Sequence, residues 1–310
     1  MASVQSFQAN YFDFPYDFNK EDNLLQDCLL DLYESLPEKL SLDVYGAYPS
    51  TRILDRSVKF FKSKVSDSGM VEWLSIHNGY RQPLRAQSKN LWWTFENRRP
   101  PSGIFDATIS FDLDSYSDSN FYLPLVYQYL DISGKKGRYV KHKKTVLQCM
   151  EHRQISIEQV EKRSGFVSVF MNNPHPMRIR AIEKLNRIGN VSIFGRYNGR
   201  YVKNKVGIAN NFKFNLCFEN DLYPGYVTEK VLEAWLSESI PLYWGDDADG
   251  VLNPDAVVNL RDFSNLETFV EYVENLQQSP DKMAKMIGQP LFSKNCDYSK
   301  LQSFILRSVS

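Results

Sequence analysis

The sequence predicts an α/β fold with a parallel sheet, and three observations carry that prediction. Compact apolar runs at Phe166–Met171 and Val191–Phe194 flank a helix-spaced segment, Met177–Ile188. Apolar residues alternate with polar ones from Phe212 to Glu219 before a helical face made by Val231, Leu232, Trp235 and Leu236. Two further apolar runs, Ile240–Trp244 and Val257–Leu260, then lead into another helical pattern. Strands and helices in alternation give parallel strands covered by helices.

The elements follow in chain order. In the first half, Asn23–Tyr33 has helical spacing, and strands are expected around Leu42–Tyr45, at Leu91–Phe95 and at Ala107–Phe111. These imply a second α/β domain. In the second half, Thr228 is placed to cap the helix after the Phe212–Glu219 strand. Ser264 with Glu267 reads as a capping box for a helix bearing Leu266, Phe269, Val270, Val273 and Leu276, with Pro280 just beyond its end. A chain of 310 residues exceeds the usual single core, so the expected division is residues 1–150 and residues 151–310.

Composition removes several classes of function. The 37 basic side chains equal the 37 acidic ones, which argues against binding nucleic acid through phosphate neutralisation. The four cysteines, Cys28, Cys149, Cys217 and Cys296, are far apart and read as buried thiols in a reducing compartment. The four histidines are scattered too, so no zinc site is signalled. Neither a secretory leader nor a run of roughly 20 apolar residues is present, and the expected location is the cytoplasm. The basic segment Gly134–Lys144 is read as a solvated connection, with an anionic membrane surface as its rival partner. The signatures of P-loop kinases, Rossmann dehydrogenases, zincin proteases and serine hydrolases are absent.

In open α/β sheets ligands bind beyond the carboxyl ends of the strands, and three segments there carry chemistry. Gly195-Arg196-Tyr197-Asn198-Gly199-Arg200 offers guanidiniums in a glycine-containing turn, suited to phosphate oxygens. Glu219-Asn220-Asp221 leads to Tyr226-Val227-Thr228-Glu229-Lys230 at a helix start, where Lys230 would add a full charge for a phosphate and Glu229 would either accept from sugar hydroxyls or serve, equally well, as an acid favoured by the helix dipole. Glu96 follows the aromatic strand Leu91–Phe95, a setting that suits a general base, although on these residues alone a strand-end acid paired with Arg98 or Arg99 is the favoured reading. Asp112-Leu113-Asp114 and Asp247-Ala248-Asp249 match a short D-x-D pattern. Arg196 and Lys230 could supply the charge of a divalent ion, so no metal is expected to be required.

Together these residues resemble the α-1,3-fucosyltransferase family. The resemblance rests on Phe212–Asn220, Tyr226–Lys230 and Ile240–Gly245, and extends to Phe194-Gly195-Arg196, Asn172-Asn173-Pro174 with Arg178, Glu96-Asn97-Arg98-Arg99-Pro100 and Ser110–Pro124. It implies an inverting enzyme of the GT-B type, two Rossmann-like domains facing across a cleft, with the acceptor on the first and GDP-fucose on the second. Glu96 is then the catalytic base, Arg196 and Lys230 stabilise the departing diphosphate, Glu229 holds ribose hydroxyls, and Tyr226 and Asn220 line the nucleotide pocket; Asn198, Arg178 and Glu219 complete the substrate-binding set. The implied acceptor is an oligosaccharide or glycolipid, with transfer to O3 of N-acetylglucosamine as in lipopolysaccharide or Lewis-type glycans. The likeness is to soluble bacterial forms, with neither an N-terminal anchor nor C-terminal heptads expected. Two departures stand out: Asp221 replaces a common Ser, which leaves another nucleotide sugar open as donor, and Phe95 replaces a common Gly before Glu96. A sugar-nucleotide or glycan-binding module without catalysis is the alternative from outside the enzymes.

Overall fold

The structure is a computed structural model. It describes residues 40–46, 56–62, 72–77, 88–94, 97–99, 103, 105–113, 119–132 and 142–308. The chain divides into two compact units, Met1–Thr145 with Cys296–Ser310, and Val146–Asn295. The junction lies five residues before the boundary read from the sequence, and the last residues group with the first unit.

The first unit holds a mixed sheet ordered as in the chain: β1 (Leu40–Gly46), β2 (Arg56–Lys62), β3 (Glu72–His77), β4 (Ser88–Trp93), β5 (Ala107–Ser110) and β6 (Asn120–Tyr122). Pairing is antiparallel from β1 to β3 and parallel from β3 to β6. Trp92, Trp93, Ile109 and Phe111 are fully buried and form the core of this unit. Asn120 fixes β6 by accepting from the hydroxyls of Thr108 (2.7 Å) and Ser110 (2.8 Å). Phe304, on the C-terminal helix Tyr298–Arg307, meets Phe121 of β6 with ring centroids 5.5 Å apart. The expected helix Asn23–Tyr33 and residues 134–141 of the basic segment Gly134–Lys144 lie outside the described residues, while His142, Lys143 and Lys144 of that segment enter a strand. A short parallel pair follows, β7 (Leu130–Asp131) and β8 (His142–Thr145).

The second unit is a parallel sheet wound with helices. Its chain order is α1 (Ile157–Glu161), β9 (Gly165–Phe170), α2 (Pro176–Leu185), β10 (Val191–Phe194), α3 (Lys205–Ala209), β11 (Phe212–Leu216), α4 (Glu229–Leu236), β12 (Ile240–Tyr243), β13 (Val258–Asn259), α5 (Leu266–Gln277) and α6 (Pro280–Ile287). The strands lie in the order β10-β9-β11-β12-β13, all parallel. Successive residues Val167, Ser168 and Val169 are all fully buried, so both faces of β9 are covered, as in other sheets flanked by helices on each side. The expected capping box is displaced by one residue. Asn265 and Thr268 form it, and Ser264 stands one position too early, because α5 starts at Leu266. Among the described residues no helix is long and apolar enough to cross a membrane. Cys149, Cys217 and Cys296 are buried, as expected. Burial pushes the Cys296 thiol up to about 12.

Candidate active site

The strand order creates the site. From β9 the chain winds outward to β10 and then returns to β11 on the other side, so the loops after β9 and β11 part from each other. This is the switch point of a doubly wound sheet, where the carboxyl ends of the strands open a crevice. The segment after β9 contributes Asn172, Asn173 and, in the first turn of α2, Arg178. The segment after β11 contributes Glu219 through Thr228.

Arg178 ties the two loops together. Its guanidinium is buried and donates to the carbonyls of Phe218 (2.6 Å), Glu219 (3.4 Å) and Asn173 (3.4 Å), and to Asn220 Oδ1 (3.1 Å). Burial pulls it below the ordinary arginine value, with Glu219 acting in the opposite sense. Five donors on a rigid plane suit such a knot of carbonyls. Asn220 itself is exposed.

Glu219 is 0% exposed. Its Oε1 accepts from the Thr228 backbone N–H (2.8 Å), the Thr228 hydroxyl lies 2.9 Å from both carboxylate oxygens, and Lys230 Nζ donates to Oε2 (2.9 Å). Lys230 also donates to Thr228 Oγ1 (2.8 Å). Burial acts against the charge on Lys230, but Glu219, then Glu229 and Tyr226, more than offset it and hold its pKa above the usual lysine value. Thr228 does stand at the N-cap of α4, as the sequence predicts, yet its side chain makes no capping bond, being turned to Glu219 instead. Tyr226 is buried and Glu229 half-buried at the first position of α4.

The turn after β10 brings a second cation. Gly195 has φ +108°, and a Cβ there would meet Met171 O at 2.4 Å, so this position demands glycine. The Arg196 N–H donates to Asn172 Oδ1 (3.1 Å), anchoring the turn to the end of β9. Asn198 donates from Nδ2 to the Ile193 carbonyl and accepts from the Arg200 N–H (3.3 Å), so its amide is spent on the turn. The Arg196 side chain is exposed and has no hydrogen-bond or ion-pair partner among the described residues.

Of the sequence-derived set, the structure thus gathers Arg178, Glu219, Asn220 and Lys230 by direct contact. It places Tyr226 and Glu229 on the same loop and helix start, and Arg196 and Asn198 at the neighbouring strand end. Glu96 lies outside the described residues, as does Asp114. In the other D-x-D segment, Asp249 pairs with Lys294 at 2.9 Å, and both Ala248 and Asp249 adopt positive φ. Among the described residues no group of three or more acidic, His or Cys side chains is placed to hold a metal ion. Sequence reasoning missed Asp246. Its carboxylate accepts from the N–H groups of Gly225 (2.8 Å) and Ala248 (3.1 Å) and pairs with Arg261 (2.9 Å), stapling the loop before Tyr226 to the loop after β12. Its signal was a carboxylate beside Gly245 at the end of a predicted strand.

Residues 160–287 match Glycosyltransferase family 10 (fucosyltransferase) C-term. The chain is 29% identical over 248 residues to the α-(1,3)-fucosyltransferase FucT of Helicobacter pylori, covering 70% of this chain and 52% of that protein. It is 27% identical over 112 residues to the 4-galactosyl-N-acetylglucosaminide 3-α-L-fucosyltransferase 9 of Mus musculus, covering 34% and 31%. The chain therefore spans about half the length of the first of these curated relatives and less of the second. A crystal structure of an α1,3-fucosyltransferase with GDP-fucose superposes with a TM-score of 0.60 at 27% identity, covering 73% of this chain and 76% of that one. The site residues from Asn172 to Arg261 all fall within residues 160–287, the stretch that matches the family 10 (fucosyltransferase) C-terminal model, in a chain with α-1,3-fucosyltransferase homologues.

Proposed function

We propose that this protein is an inverting fucosyltransferase of the two-domain GT-B type, moving L-fucose from GDP-fucose to O3 of an N-acetylglucosamine in an oligosaccharide or glycolipid. The observation that carries this reading is the pair of cations, Lys230 and Arg196, presented at the carboxyl edge of the family 10 sheet. A departing GDP gains negative charge as the bond to the anomeric carbon breaks, and fixed cations there stabilise the transition state more than the ground state.

In this mechanism Glu96 takes the proton from the acceptor hydroxyl. The hydroxyl oxygen attacks the anomeric carbon from the face opposite the diphosphate, the C–O bond to GDP breaks, and its electron pair leaves with GDP. The role of Glu96 rests on its place in Glu96-Asn97-Arg98-Arg99-Pro100. No metal is required, because Lys230 and Arg196 supply the positive charge. The protein acts in the cytoplasm, with at most weak peripheral contact with the membrane.

The test is release of GDP from GDP-fucose on adding glycan acceptors, in the native chain and in Glu96→Ala. General-base removal costs about 10²–10⁴ in turnover. GDP binding should be retained, and near-normal turnover in the variant refutes the mechanism. Asp221 favours a second reading, in which another nucleotide sugar is the donor. A larger thermal shift with a UDP or ADP sugar than with GDP-fucose would establish it.

A further inference from the structure

Glu219 is enclosed by the loop and helix start that it joins. Its side chain is fully buried and both of its oxygens are engaged. Yet the three groups Glu219, Thr228 and Lys230 close a triangle: Lys230 Nζ to Glu219 Oε2 at 2.9 Å, Lys230 Nζ to Thr228 Oγ1 at 2.8 Å, and Thr228 Oγ1 to Glu219 Oε2 at 2.9 Å. Two of the three ammonium protons are thereby committed. The third has no partner among the described residues, on a side chain that keeps 22% of its surface exposed. The triangle also explains why Thr228 forgoes capping α4.

Resting on the functional reading above, we propose that Glu219 is a positioning residue for the diphosphate leaving group. It fixes the Lys230 ammonium at the start of α4 and offsets its charge, so that Lys230 meets the diphosphate in one orientation without holding the GDP product too tightly. A charge paired in advance is pre-organised, which favours the transition state, while its attraction for a bound anion is moderated.

A cycle of full-length variants tests this, with GDP binding by calorimetry, kcat with GDP-fucose and acceptor, and thermal unfolding. Glu219→Gln should bind GDP about fivefold more tightly while kcat falls about tenfold, a divergence that general damage to the fold does not produce. Glu219→Asp, which keeps the charge, should recover most of kcat. In a Lys230→Met background, Glu219→Gln should leave GDP affinity unchanged and raise the thermal midpoint, because it removes the carboxylate that Lys230→Met leaves buried and unpaired. Weaker GDP binding together with lower kcat in Glu219→Gln overturns the proposal, as does an equal effect of Glu219→Gln in both backgrounds. Failure of the native chain to bind GDP overturns the functional reading and with it the diphosphate role of Glu219. The thermal cycle then still shows whether the ion pair is present.

Discussion

Arg196 and Lys230 are two cations at the same sheet edge, held in opposite ways. Lys230 is mostly buried, bonded to a carboxylate and a hydroxyl, and continuous with the core through Glu219. Arg196 stands exposed on a tight turn and is itself held through its backbone N–H, by Asn172. A buried cation needs its counter-ion before any ligand arrives, so it becomes part of the fold. An exposed one is solvated and can be spent entirely on the ligand. The difference predicts that one position is felt in stability and activity together, and the other in activity alone.

Lys230→Met should have the largest effect. It strands Glu219 without its cation, a loss of about 3–5 kcal/mol measurable by chemical denaturation. Turnover should fall by about 10²–10³ through loss of charge stabilisation. Unchanged stability would break the comparison. Next is Gly195→Ala, where a Cβ would meet the Met171 carbonyl in a backbone of φ +108°. A cost of about 1–3 kcal/mol is expected from such strain, together with reduced turnover as the Arg196 turn shifts. Arg196→Ala should leave stability within about 0.5 kcal/mol while lowering turnover, and its effect on GDP affinity should shrink from 50 mM to 500 mM salt, concentrations chosen because exposed charges are screened over about 10 Å at 0.1 M.

The smallest effect concerns pH. The folded-state pKa of Lys230 is raised, since Glu219 and Glu229 outweigh the burial that opposes its charge. Its contribution to stability is therefore complete below the unfolded lysine value of about 10.4 and is lost as pH climbs through the folded value. Denaturation midpoints should show no loss from this group between pH 7 and pH 9. A decline that begins below pH 9 in Glu219→Gln alone would sharpen the contrast with Arg196.

Much of this contrast was legible in the sequence, but not its cause. The alternation Phe212, Phe214, Leu216 against Lys213, Asn215 and Cys217 located β11, and Val231 with Trp235 located α4, so Glu219 and Lys230 were placed at a strand end and a helix start. The bond between them closes a loop across eleven residues, which no local period encodes. Thr228 was read as a cap because local preference favours that role, and the buried carboxylate outcompeted it. In the first unit β6 is three residues long, too short to show a period, and β2 and β3 were overlooked. The displaced cap of α5 has a similar origin, since Ser264 and Asn265 are adjacent residues able to cap and only the start of the helix decides between them.

One backbone detail of the second unit bears on how the chain is assembled. The Cys149 carbonyl, near the point where the chain enters this unit, accepts from the N–H groups of Leu291 (2.8 Å) and Phe292 (3.3 Å), close to where it leaves. Entry and exit are thus sewn side by side, and residues 146–295 form an insertion within the polypeptide that makes the first unit. Such an arrangement predicts a cassette: residues 146–295 produced as one continuous fragment should fold, as should a variant with the neighbouring ends joined and new termini opened in a surface loop, because the sheet and the Glu219–Thr228–Lys230 triangle are contained between its two ends.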